Sequence, residues 1–119
     1  MPTAQSQRSS RIAAQSLRRF TYRRSRAGST TTIAVSGELD VASVPALDTQ
    51  LRAAAREAAR VVLDLRSLEF VDASGAALLL SAYRRMRQAG GRLLVVRGPF
   101  EVQWLLELMR VDRELEFVG

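Results

Sequence analysis

The spacing of apolar positions changes period several times along this chain, and each change predicts an element. Phe20 and Tyr22 alternate with polar neighbours, and Thr30 to Gly37 is a second β-prone run, with Gly28 in the stretch Ser25 to Ser29 between them. Two such runs joined by a short glycine-bearing segment predict a hairpin. Ser43 is a capping residue type, Pro45 suits a first helical turn, and Leu47, Leu51, Ala54, Ala55 and Ala58 recur at helical spacing as far as Ala59. Val61-Val62-Leu63-Asp64-Leu65 is short, β-branched and apolar, as a fully buried strand should be. A helix is expected over Ala76–Arg87, turning cationic toward its end, with Gly90-Gly91 as its stop and Arg92-Leu93-Leu94-Val95-Val96 as the next buried strand. Pro99 opens a third helix, in which Val102, Leu105, Leu106 and Met109 fall at i, i+3, i+4 and i+7, and Leu115–Val118 closes the chain as a short strand.

The order β-β-α-β-α-β-α-β predicts an α/β fold. It implies a single domain with a mixed, mostly parallel sheet of about five strands, antiparallel at the hairpin and parallel at the helical crossovers, with helices packed against it. At 119 residues and 47% hydrophobic content the chain suits one domain with a real core. Residues 1–16, polar and without a sustained period, are expected to be a disordered basic extension, and residues 17–119 the domain. No long uncharged apolar stretch and no secretory h-region occur, so a cytoplasmic protein without a membrane partner is expected.

Charge is divided unevenly. Met1 to Ala27 holds seven arginines (Arg8, Arg11, Arg18, Arg19, Arg23, Arg24, Arg26) and no acid, whereas Gly28 to Gly119 holds eleven arginines against twelve acids. The body is therefore nearly neutral and the arm basic. Such an arm can bind nucleic acid, but a short cationic extension is ordinarily just solvated, and nucleic acid is not the expected partner. The chain has no cysteine and no histidine. Their absence excludes a disulfide framework, thiolate metal sites and imidazole as base, ligand or pH switch.

The stretch Phe70-Val71-Asp72-Ala73-Ser74-Gly75 leads from a strand into a helix and puts Ser74 at or beside the N-cap. There the first backbone N–H groups lack partners and the macrodipole is positive, so a phosphate on Ser74 would meet donors. Gly75 either allows another backbone or a phosphate to approach Ser74 or serves tight turn packing. Asp72 either orients the hydroxyl or caps the helix. Glu38 and Asp40 project to one side if their strand reaches Asp40. A carboxylate hydrolase or magnesium site of Glu38, Asp40 and Asp72 is set aside, because histidine, lysine and a glycine-rich phosphate loop are missing. Ala76–Leu80 is apolar nearly all round, Trp104 falls beside the third helix's apolar stripe, and Arg84, Arg85 and Arg87 form a solvated helical end.

This order of elements, with Gly37-Glu38-Leu39-Asp40 after the second strand and Phe70-Val71-Asp72-Ala73-Ser74-Gly75 before a helix, resembles the STAS domain family, specifically the bacterial anti-sigma factor antagonists. The resemblance implies partner switching. The unmodified antagonist binds an anti-sigma factor, a serine kinase of GHKL type, and so frees a sigma factor for transcription. The kinase phosphorylates the serine before the motif glycine, here Ser74, until a serine phosphatase removes the group. The resemblance makes Ser74 a substrate and the chain a binding protein without catalysis, and it places Glu38, Asp40, Asp72, Ala73 and Gly75 in the partner contact. No cofactor is implied, since ATP and magnesium come with the kinase. The family commonly has Asp-Ser-Ser-Gly where this chain has Asp72-Ala73-Ser74-Gly75, so the first hydroxyl is absent. The alternative is a stand-alone STAS subunit or scaffold of a lipid-transport or stress-signalling complex, with Ser74 unphosphorylated.

Overall fold

The computed structural model describes residues 19–119, so the extension expected over residues 1–16 and its boundary lie outside the described residues. The hairpin forms as the alternation requires. β1 (Thr21–Ala27) pairs antiparallel with β2 (Thr30–Leu39), Ala27 facing Thr30 across a two-residue turn in which Gly28 has φ +62°. That left-handed backbone costs glycine little and most other residues more. In β2 the buried residues Thr31, Ile33, Val35, Gly37 and Leu39 alternate with half-buried ones. Ile33, Val35 and Leu39 share one core with Leu47, Leu51 and Ala54 of α1 (Val44–Glu57) and with Ala76, Leu79 and Ala82 of α2 (Ala73–Gln88). On the same side, Arg24 of β1 reaches Gln50 and Glu57 of α1. Ala55, on the expected α1 stripe, is exposed.

β3 (Arg60–Val71) outruns the expected Val61–Leu65 strand. Past Leu65 the sequence loses its apolar run, but β2 alongside supplies ladder partners. Ser67 pairs with Ser36, Leu68 with Gly37, Phe70 with Glu38 and Val71 with Leu39, with register shifts between Ala34 and Ser36 and between Gly37 and Glu38. These irregularities let Arg66, Ser67 and Glu69 lie exposed while Leu68 and Val71 stay buried. Asp64 accepts from the Arg66 guanidinium at 2.8 Å, and this bond holds the Asp64 carboxyl below its ordinary range against the opposing effect of burial.

α2 ends in a Schellman motif. Gly91 N–H donates to the Met86 carbonyl at 2.9 Å and Gly90 N–H to the Arg87 carbonyl at 3.1 Å, with Gly90 at φ +85°. The expected glycine stop is therefore real. β4 (Arg92–Val96) pairs parallel with β3, and α3 (Phe100–Leu108) follows, packing through buried Val102 and Leu106. β5 shrinks to Phe117–Val118, parallel to β4, where Leu115–Val118 was expected. The sheet has five strands in the order β1-β2-β3-β4-β5, mixed and mostly parallel, with α1, α2 and α3 packed against it. Among the described residues no helix is long and apolar enough to cross a membrane.

β4 matters for what lies beside it. Its last paired residue, Val96, faces Asp64, so β3 continues from Leu65 to Val71 with no strand on that edge. The beginning of α3 flanks this overhang instead.

Candidate functional site

Two segments meet at the carboxyl ends of β2 and β3, and Asp72 ties them together. Its backbone is extended, at φ −100° and ψ −175°, as an N-cap requires, and its N–H donates to the Leu39 carbonyl at 3.1 Å. Asp72 Oδ1 accepts from Gly75 N–H at 2.9 Å, and Oδ2 accepts from Val41 N–H at 3.3 Å. One carboxylate thus caps α2 and holds the loop after β2. The capping function considered for Asp72 is the one the structure shows.

With Asp72 as cap, α2 begins at Ala73, three residues before the expected Ala76. Ser74 occupies the second helical position, beside the cap rather than on it, and is half-buried, while Ala73 is exposed. Gly75 N–H is used by Asp72, and Ala76 N–H makes the first helical bond to the Asp72 carbonyl at 2.9 Å. The N–H groups of Ala73 and Ser74 remain as the donors at the helix mouth. A phosphate on Ser74 would lie among them, at the positive end of the dipole.

Gly75 is buried, and a Cβ there would lie 2.7 Å from the Leu39 carbonyl oxygen, 2.8 Å from Leu39 Cγ and 2.9 Å from Val71 Cγ2. Of the two readings of Gly75, the geometry bears out tight turn packing: the ends of β2 and β3 fill the space a side chain would take. Its contribution to the site is to let α2 start this close to the sheet.

Asp40 is also turned inward. β2 stops at Leu39, so the condition for Glu38 and Asp40 to share a strand face is not met. Asp40 Oδ1 accepts from Ala42 N–H at 3.0 Å and Ser43 N–H at 3.1 Å, closing a tight loop. The Ser43 hydroxyl makes no cap bond to α1; it accepts from Asp40 N–H and donates to the Glu38 carbonyl, each at 2.9 Å. Val41, whose N–H is held by Asp72, has its side chain 71% exposed beside the Ser74 turn. Pattern reading missed it; the available signal was an apolar residue inside a turn sequence, Asp40-Val41-Ala42-Ser43, with no period to bury it.

Glu38 faces elsewhere, into an open groove of about 680 Å³ between the β3 overhang and the start of α3. Leu68, Phe70, Pro99 and Phe100 form its apolar lining, and Glu38, Glu69 and Glu101 its carboxylates. No residue of the Asp40 loop or the Ser74 turn lines it. Asp40 and Asp72 are committed to backbone donors, and among the described residues no cluster of three potential metal ligands exists. Arg84 pairs with Glu114 and Arg85 with Asp48, so two of the three arginines read as a solvated helical end are engaged.

Removal of the Asp72 carboxylate tests the junction. Asp72→Ala is expected to cost about 1–2 kcal/mol in urea unfolding, since it strips the cap and leaves Val41 N–H without its acceptor. Asp72→Asn keeps a capping oxygen but cannot accept at both ends, and is expected to lose less than half as much. Equal losses for the two variants would show that the tie to Val41, not the cap, carries the stability.

A mixed five-stranded sheet with a serine at the mouth of the helix after its third strand defines a small α/β domain. The family described as "Mlab, STAS domain" matches residues 22–118, and the chain belongs to the STAS domain family. The anti-sigma F factor antagonist of Paenibacillus polymyxa is 34% identical over 78 residues, which cover 64% of this chain and 67% of that protein. Among solved structures, an anti-sigma factor antagonist from Mycobacterium paratuberculosis superposes with a TM-score of 0.75 at 24% identity, covering 86% of this chain and 87% of the other. The Bacillus cell fate determinant SpoIIAA in its phosphorylated form gives 0.64 at 18% identity, covering 83% and 92%. The two structures establish a shared fold.

Proposed function

We propose that this chain is a cytoplasmic anti-sigma factor antagonist, which binds an anti-sigma factor serine kinase and is released from it by phosphorylation of Ser74. The observation that carries the reading is the position of Ser74: half-buried, two residues inside the Asp72 cap and next to exposed Ala73. The similarity to the antagonist from Paenibacillus polymyxa supports the role. The kinase brings ATP and magnesium and transfers a phosphoryl group to Ser74 Oγ, and a phosphatase hydrolyses the ester. The chain's own residues act as a platform. Asp72 fixes the Ser74 turn against the Asp40 loop, while Ala73 and Val41 supply exposed surface on the two segments it joins.

The absence of a hydroxyl at Ala73 leaves Ser74 as the single serine of the turn. Intact-protein mass spectrometry after incubation with ATP, magnesium and candidate anti-sigma kinases tests the proposal. One added phosphate on the parent and none on Ser74→Ala is expected. Capture of a kinase without modification would retain antagonism and remove the switch. Neither capture nor modification by any candidate would favour a STAS subunit or scaffold of another complex.

A further inference from the structure

The groove between β3 and α3 is lined by two carboxylates, Glu38 and Glu101, to which the described residues offer no counter-charge. Arginines of the described body pair with Asp48, Glu57, Asp64, Glu114 and Glu116, and backbone N–H groups hold Asp40 and Asp72. Among the described residues neither Glu38 nor Glu101 has an ion-pair partner, and both line the groove beside Phe70 and Phe100, which are 39% and 82% exposed. Apolar walls carrying carboxylates suit a segment with arginines and interspersed aliphatic side chains, because the guanidinium stem packs on the rings while its head meets the acid.

The sequence supplies such a segment ahead of β1. Arg8, Arg11, Arg18 and Arg19 are spaced with Ile12 and Leu17, and no acid occurs before Glu38. β1 begins with Thr21 opposite Ser36, and the two hydroxyls are hydrogen-bonded, so the chain enters the sheet only two residues short of Glu38 along β2 and on the same face. Arg19 follows Arg8 by eleven positions. Even a partly extended chain of that length reaches across the groove, at up to ~3.3 Å per residue.

We propose that the arginine-bearing segment Arg8–Arg19 docks in this groove within its own chain, its cations meeting Glu38 and Glu101 and its aliphatic residues the faces of Phe70 and Phe100. The docked arm would border the Ser74 turn, since Phe70 lies two residues before Asp72. The proposal does not rest on antagonism or phosphorylation, and its test is independent of both.

The full chain has no cysteine, so Ser9→Cys accepts a single nitroxide label. At low salt, amide signals of Phe70 and Glu101 are expected to broaden about threefold more than those of the Asp40–Ser43 loop at the same sheet end. The excess should vanish near 0.5 M salt, where the Debye length falls to about 4 Å. It should also vanish in the labelled Glu38→Arg, Glu101→Arg double variant, whose tether is unchanged. Equal broadening of loop and groove, or an excess that survives both salt and charge reversal, would overturn the proposal. Broadening of an unlabelled isotopic chain by a labelled one would overturn docking within the chain and name a second copy as occupant. The salt series on the parent keeps the test decisive if the double variant fails to fold.

Discussion

Phosphorylated at Ser74, the chain is expected to bind its anti-sigma partner roughly a thousandfold more weakly than the unmodified chain, while its own unfolding midpoint hardly moves. The asymmetry follows from where the charge falls. The phosphate adds about −1.5 to −2 charge and three acceptor oxygens. Inside the domain these oxygens meet the N–H groups of Ala73 and Ser74 and the positive end of α2, which offset repulsion from Asp72. Asp72 is itself held by Gly75 N–H and Val41 N–H and need not move. In a complex that covers Ala73 and Val41, the same dianion would be buried without a counter-charge, and an uncompensated ion costs several kcal/mol, each ~1.4 kcal/mol being tenfold in affinity. Titration calorimetry of the two forms against the same kinase, with thermal unfolding of each form alone, measures both halves. Equal affinities would end the switch as described, and a large fall in the unfolding midpoint would move its origin from the interface to the fold.

Gly75→Ala is expected to destabilise the domain by about 2–3 kcal/mol, near the upper end for overpacking, because two of the three contacts a Cβ would make involve the buried end of β2. The nearest atom is a backbone oxygen, at 2.7 Å, which cannot rotate away as a side chain can. For a domain of this size the loss lowers the unfolding midpoint by roughly 10 °C or more. Ala73→Ser, on the exposed side of the same turn, should change stability by at most about 0.5 kcal/mol. Unfolding of the two variants in urea gives the comparison. Parent-like stability of Gly75→Ala would mean that α2 can stand off from Leu39, and would restore an open approach over the glycine.

The order of elements and the fold class are legible in the sequence because the periods of β2, α1, β4 and α3 are clean and their glycine and proline stops conform to ordinary turn chemistry. The length of β3 is not, because Arg66, Ser67 and Glu69 interrupt its apolar pattern and their strand geometry depends on pairing with Ser36, Gly37 and Glu38. The start of α2 is misread for a related reason. Glycine at the third helical position is a poor helix former, and it takes the bonds from Gly75 N–H and Ala76 N–H to Asp72 to show that the helix has already begun. Ser74 itself can be found from its motif, but the inward turn of Asp40 cannot, since it depends on the loop closing back on Ser43. The groove is invisible in one dimension: Glu38, Phe70 and Phe100 come from three separated segments.

The fit of Gly75 against Leu39 has a consequence for how such sequences diverge. A descendant that lost the hydroxyl at position 74, and with it every kinase, would still be held to glycine at 75 by the nearness of β2. Selection on folding and selection on signalling therefore act on adjacent codons for different reasons. A retained glycine at this junction testifies to the geometry of the sheet, and only the residue before it bears on whether the chain is still written upon.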